Sequence, residues 1–376
     1  MSLDAPAARS AGLDILRSLA ILWVLVSHCG DTFAAWWDVR APFLSSVSGF
    51  FGVELFFVLS GFLIGRLLLR IVERRPTWRD WRVFMVRRWM RTLPVYYLWL
   101  AVLAAAWPPL FWVPGHAALW RTLPWFATLT QNMAWPVVGG WFGVSWSLAV
   151  EEWFYLLFSS LLLGGAALFG RRRALLVSLT AFLLIPPLLR WQVPATADWG
   201  EFTSKVVPLR LDAIGFGIVV AWLAQRRSRL LARPLLLLFV GVAVVAGVWL
   251  GPVARMLTAI GPQVQRTFLF DVASLGFAML LPAADRLRHA PGWIARPAAR
   301  VAGQSYAIYI VHLSLLDIVG YYRVVLHAPA LPCAVACLAA IWLLSWASFR
   351  WLESPLLRLR PPQHAVPRVL SPLETS

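Results

Sequence analysis

Arg17, His28, Glu54 and Glu151 are ionisable residues set inside stretches otherwise apolar enough for a bilayer. Such side chains are costly at membrane depth, and each is a functional-site candidate by default. Arg17 and His28 share one helical stretch, eleven residues apart. At about 100° per residue they fall within roughly 20° of one face, about 16 Å apart along the axis. An imidazole that titrates near neutrality suits a general base or a nucleophile. A carboxylate at similar depth would orient or charge-stabilise it. Arg88 and Arg91 stand at i and i+3, so two guanidinium forks share one face, a pattern suited to phosphate. Each residue also has a plainer reading. Arginines near a boundary can simply snorkel and set topology, and a lone buried histidine can satisfy itself on a neighbouring carbonyl. Glu152 lies 100° round the helix from Glu151 and is not expected to share its cavity.

The elements that must hold these residues are membrane helices. The chain has 376 residues, 60% of them hydrophobic, and a mean hydropathy of +0.71, far above a soluble domain. Its apolar stretches run about 17–25 residues, the length that spans a bilayer. Many of the 23 tryptophans sit near stretch ends, Trp36, Trp37, Trp107, Trp112, Trp141 and Trp191 among them, as in interfacial aromatic belts. A net charge of +17 would suggest nucleic acid in a soluble protein. Here the arginines alternate with apolar stretches, so membrane orientation accounts for them and no nucleic-acid partner is expected. The three cysteines give no disulfide framework, and no metal site is expected. The first eleven residues lack a signal-peptide pattern, so the first span is expected to stay in the mature protein.

The expected fold is all-α: a single bundle of about ten transmembrane helices, near 13–35, 48–70, 84–107, 143–168, 174–190, 205–224, 235–251, 267–284, 302–325 and 331–351. Residues 117–133, which carry Arg121 and Pro124, are expected to form a re-entrant or interfacial helix. With the N-terminus in the cytoplasm, roughly 26 of the 34 Lys and Arg fall on the cytoplasmic side, which favours both termini inside. Counting about 1.5 Å per residue, Arg17, Arg66, Arg87, Arg88 and Arg91 lie near the cytoplasmic boundary. His28, Glu54 and Glu151 lie about 9–12 Å below the outer face. The expectation is therefore a cationic layer inside facing a histidine-and-carboxylate layer outside.

Four segments resemble the membrane acyltransferase 3 family, bacterial O-acyltransferases of cell-surface polysaccharides. Residues 13–28 resemble its Arg-x10-His signature, and residues 51–63 its second-span motif, with Glu54 where Asp is common. Residues 87–94 match the Arg-x-x-Arg motif and residues 146–155 the Trp-Ser-Leu-x-x-Glu segment. Weaker echoes are residues 305–312 and 351–355. One membrane acyltransferase domain over 1–355 and a cytoplasmic tail over 356–376 are expected; the family often carries an extracytoplasmic hydrolase-like domain after the membrane part, and none is expected here. It further implies a bacterial inner-membrane protein that binds no cofactor but uses acetyl-CoA or another acyl-CoA as co-substrate. Arg17, Arg88 and Arg91 would meet the donor phosphates from the cytoplasm. His28 would be the catalytic base or the acyl acceptor, with Glu151 or Glu54 beside it. A glycan or lipid-linked sugar would supply the hydroxyl. Asp14, Ser60, Trp146, Ser147, Tyr155, Tyr306, Tyr309 and His312 would be substrate contacts or structural partners. Membrane lipids are the remaining partners; nothing in the sequence fixes an oligomeric state. The alternative is a multi-pass transporter of sugar- or lipid-linked substrates, although no inverted repeat is visible.

Overall fold

A computed structural model describes residues 10–40, 43–110, 116–135, 137–138 and 140–362. Residues 363–376 of the expected tail lie outside the described residues. Among the described residues the chain is all helical. The α-helices are α1 (Ala11–Trp36), α2 (Phe43–Val72), α3 (Trp78–Leu110), α4 (His116–Ala127), α5 (Ser145–Phe169), α6 (Arg171–Gln192) and α7 (Leu211–Gln225). They continue with α8 (Pro234–Trp249), α9 (Pro252–Ile260), α10 (Pro262–Arg286), α11 (Gly292–Val325), α12 (Ala330–Ser348) and α13 (Ser354–Arg358).

Seven of these are long and apolar enough to cross a membrane: α1, the Gly49–Val72 part of α2, α5, α6, α10, α11 and the run Ala330–Arg358. α8 and α9 add an eighth only if the pair, bent by 68°, is one span. The chain is thus a multi-pass membrane protein. The expected ten exceeds seven by α3, α7 and α8, and exceeds eight by α3 and α7. α3 opens with Arg79, Arg82, Arg87, Arg88 and Arg91, which lower its apolar content. α7 is a short helix of 15 residues, about 22 Å, because residues 207–209 form a 3-10 turn before it. α4 has 12 residues, about 18 Å, too short to cross, and turns follow it.

Without a hydrophobic drive between helices in lipid, close packing rests on small residues. α2 and α7 cross at Gly61 and Gly217. A β-carbon on Gly61 would lie 1.9 Å from the Ile214 carbonyl oxygen, and one on Gly217 would lie 2.0 Å from that of Val58. No other residue fits either position. This contact fixes α2 at the centre of the bundle, between α1, α7 and α10. Large apolar side chains such as Leu22, Val26, Leu184, Leu188 and Leu343 are exposed on the bundle's outer surface, where lipid would cover them.

Candidate active site

α2 faces α3, α5 and α11 across a cavity of about 160 Å³. Its lining on α2 runs from Val53 to Leu67, about 21 Å of helix. At one end stands Arg17, and Arg88 and Arg91 share the wall that α3 contributes. At the other end Ser147 and Tyr309 meet through a 2.6 Å hydroxyl contact. Ser60, Thr92, Glu151 and Tyr306 line the space between.

The guanidinium groups of Arg88 and Arg91 are incompletely used. Arg88 Nη2 donates to the Tyr155 hydroxyl at 3.1 Å and its guanidinium lies 4.6 Å over the Tyr155 ring, but its Nε is buried without a partner. Arg91 makes no hydrogen bond to any described residue. Arg17 lies 3.9 Å from Asp14, one turn away. Tyr155 gives its single proton to Glu151 Oε2 at 2.8 Å, so its oxygen accepts from Arg88 and from Ser60 at 2.5 Å. At the open end the chain beyond α13 folds back, where Arg87 Nη1 donates to the Pro361 carbonyl. Arg360 follows α13 with two guanidinium nitrogens buried and unpartnered. Burial, then repulsion from Arg91, Arg88 and Arg87, pushes it down to about 10, so it stays charged at neutral pH.

His28 lines this cavity neither directly nor through Glu151. Its Nδ1 lies 2.8 Å from Nε2 of His312, and the two rings stack with centroids 5.0 Å apart. His312 is fully buried and its Nδ1 faces the carbonyl oxygens of Tyr309 at 2.8 Å and Ile308 at 3.1 Å. Carbonyls only accept, so that nitrogen carries a hydrogen. An imidazolium here would be a buried charge with no carboxylate bonded to it, a costly state, so both rings are neutral. His312 Nε2 is then bare, His28 Nδ1 carries the hydrogen it accepts, and His28 Nε2 is left with a free lone pair. The ring is set for a base or a nucleophile.

Several expectations change. Glu151 belongs with the arginines, not with His28. The reason is register: α3 starts at Trp78, which carries Arg88 and Arg91 about 15 and 20 Å along it, up to the level of Glu151. The two expected layers therefore overlap. Glu54 is not beside His28 either. It is fully buried, and its two oxygens take Arg210 and Ser274. Glu152 is not among the lining residues and accepts from Thr92, which is, at 2.6 Å. Ser18, one turn on from Asp14, donates to its carbonyl oxygen at 2.9 Å. Tyr306 donates to the Thr92 carbonyl at 2.6 Å.

A second cavity, of about 280 Å³, is lined by Phe126, Gln131, Phe142, Gly143, Ser145, Trp146 and Lys205, with Val137 and Gly140. Ser145 and Trp146 face this cavity, while the next two residues, Ser147 and Leu148, face the first. The opening turn of α5 is the partition between them. Asn132 clamps this region, its Nδ2 donating to the carbonyls of Trp146 at 3.0 Å and Lys205 at 2.6 Å. Lys205 and Asp31 are the charged groups in electrostatic reach of His28. Gln131, Asn132 and Lys205 were not singled out from sequence. A signal was present for one of them: Lys205 is the only lysine among 34 basic residues.

A family model described as an acyltransferase domain matches residues 10–350. The peptidoglycan O-acetyltransferase OatA of Listeria monocytogenes is 23% identical over 375 residues, covering 92% of this chain and 55% of that protein. The putative peptidoglycan O-acetyltransferase YrhL of Bacillus subtilis is 29% identical over 234 residues, covering 58% of this chain and 34% of that protein. The O-acetyltransferase OatA of Staphylococcus aureus is 33% identical over 162 residues, 39% of this chain and 24% of that protein. The chain thus spans about half the length, or less, of these relatives. No solved structure matches it.

Proposed function

Since the chain belongs to the acyltransferase family whose domain covers residues 10–350, we propose that it is a membrane O-acyltransferase. It moves an acyl group, acetyl by likeness to the O-acetyltransferases it matches, from cytoplasmic acyl-CoA to a hydroxyl of an extracytoplasmic glycan, of the peptidoglycan type or lipid-linked. One observation carries this reading. An arginine-lined cavity closes at Ser147 and Tyr309, and the Tyr309 carbonyl also holds His312, which fixes His28 with a bare Nε2.

In this reading Arg17, Arg88 and Arg91 take the donor phosphates, Arg360 adds charge at the mouth, and Glu151 holds Arg88 through Tyr155. The thioester reaches past Ser60 toward Ser147. His28 Nε2 takes the proton of the acceptor hydroxyl, whose oxygen attacks the thioester carbonyl. The C–S bond breaks and the thiolate recovers the proton from His28. The donor side is the cytoplasm of a bacterial inner membrane and both termini lie inside, an even number of crossings that takes the α8–α9 pair as the eighth span.

The test is acetyl transfer by purified chain in lipid nanodiscs. His28→Ala is expected to lower transfer by about 10²–10⁴-fold, with acetyl-CoA binding unchanged and melting lowered only by the loss of its one hydrogen bond to His312. Transfer at wild-type rate by that variant overturns the role of His28.

A further inference from the structure

The cavity beside Trp146 is not needed by a donor, yet it is built for a polar ligand. Gln131 is 2% exposed and lines it. Ser145 gives its hydroxyl proton to the Phe142 carbonyl at 2.7 Å, so toward Gln131 its oxygen can only accept. The Gln131 group 3.1 Å from it is therefore the amide nitrogen. This fixes the amide and leaves Oε1 as a buried acceptor with no partner. An unsatisfied buried amide oxygen is costly, and a hydroxyl or amide N–H donor from a ligand would satisfy it. Lys205 brings a cation to the same lining, and Trp146 and Phe142 bring aromatic surface. Lys205 of this lining is in electrostatic reach of His28, and a β-carbon on Gly143 would meet the side chain of Leu313, which follows His312 in the chain, at 2.8 Å.

An oriented amide acceptor, a cationic donor and aromatic rings in one concave site match a sugar ring. Such a ring offers hydroxyls at its edge and C–H bonds on its faces. On the footing of the acyl-transfer reading, we propose that this cavity is the acceptor subsite, holding one pyranose unit of the glycan. Gln131 Oε1 accepts from a hydroxyl or N-acetyl N–H of the ring, and Lys205 donates to a ring oxygen substituent. The hydroxyl to be acylated then points across the opening turn of α5 toward His28.

The test uses the full chain and two separate readouts. Base-labile acetate on surface glycans is measured in cells carrying wild type, Gln131→Leu, Lys205→Met or Lys205→Arg in place of the native gene. Acetyl-CoA binding and thermal melting are measured on each purified protein. Gln131→Leu and Lys205→Met are expected to lose about tenfold or more in O-acetate, with acetyl-CoA binding within twofold of wild type. Lys205→Arg is expected to retain most of the signal. Wild-type O-acetate in both loss variants overturns the subsite, as does a parallel fall in acetyl-CoA binding. If Gln131→Leu does not fold, Lys205→Met, at a half-buried position, decides alone. Wild-type cells with no O-acetate above a gene deletion would instead overturn the acyl-transfer reading itself.

Discussion

Arg190 and Arg88 stand in helices of one bundle and have opposite surroundings. Arg190 is fully buried, and every nitrogen of its guanidinium is used. It donates to the carbonyls of Thr267 at 2.8 Å and Leu209 at 2.5 Å and to Asp212 and Asp271 at 2.6 Å each. Arg210 pairs with Glu54 and lies 3.7 Å over the Phe270 ring, although its Nε and Nη1 are buried without a hydrogen-bond partner. These groups neutralise one another and tie α2, α6, α7 and α10 together. Arg88, Arg91 and Arg17 face a cavity instead, with the nearby carboxylate of Glu151 engaged by Tyr155. What separates the two sets here is surroundings: one is locked in ion pairs between helices, and the other lines a cavity.

The comparison can be broken from either side, and the largest effect is expected on the scaffold side. Arg190→Leu strands Asp212 and Asp271 in the bundle. Breaking a buried pair this way costs about 3–5 kcal/mol, so yield should collapse and melting should fall steeply. An Arg190→Leu protein that melts like wild type while losing acetyl-CoA binding would place Arg190 among the ligand-binding arginines. On the cavity side, Arg88→Ala and Arg91→Ala should each weaken acetyl-CoA binding by about 1.5–3 kcal/mol, as for a charge-assisted hydrogen bond. Calorimetry checks this; melting within a degree or two is expected alongside. A large loss of stability with unaltered binding would turn them into scaffold.

His312→Leu probes the histidine pair at a smaller scale. Losing one hydrogen bond to His28 is worth about 1–3 kcal/mol. The expected signature is a fall in kcat with KM for acetyl-CoA unchanged, since the bare Nε2 of His28 is no longer enforced. A rise in KM alone would make His312 a binding residue. The smallest effect is expected at the α6 start, where Arg171, Arg172 and Arg173 are exposed. Neutralising one should leave stability and binding within about 0.5 kcal/mol.

Much of this was legible in the sequence, for reasons that can be named. Apolar length marks α1, α2, α5, α6, α10, α11 and α12, because a bilayer demands about 20 apolar residues whatever the packing. The spacing of Arg88 and Arg91 put both on one face, and the cavity wall contains both. Partnering was not legible. Glu54 sits in an apolar run exactly as a catalytic carboxylate would, and only the fold brings Arg210, 156 residues on, against it. His28 met His312, 284 residues away, by the same kind of long-range contact. Depth counted from apolar stretches misplaced Glu151 relative to the arginines, since α3 begins six residues before its apolar stretch. Gln131 was hidden because a neutral amide in a turn carries no periodicity.

The partition at the opening turn of α5 has an electrical consequence. Where polar cavities enter a membrane protein from opposite sides, the transmembrane voltage drops mainly over the thin barrier left between them. Any net charge that crosses the Trp146–Ser147 step would then gain or lose about 2.3 kcal/mol per elementary charge at 100 mV, according to its sign. An acetyl group is neutral and crosses with no such term. A dicarboxylic acyl group, with its free carboxylate, would be drawn outward in a cell whose interior is negative. If the turn divides a donor from an acceptor cavity, transfer of a charged acyl group would depend on voltage and transfer of acetyl would not.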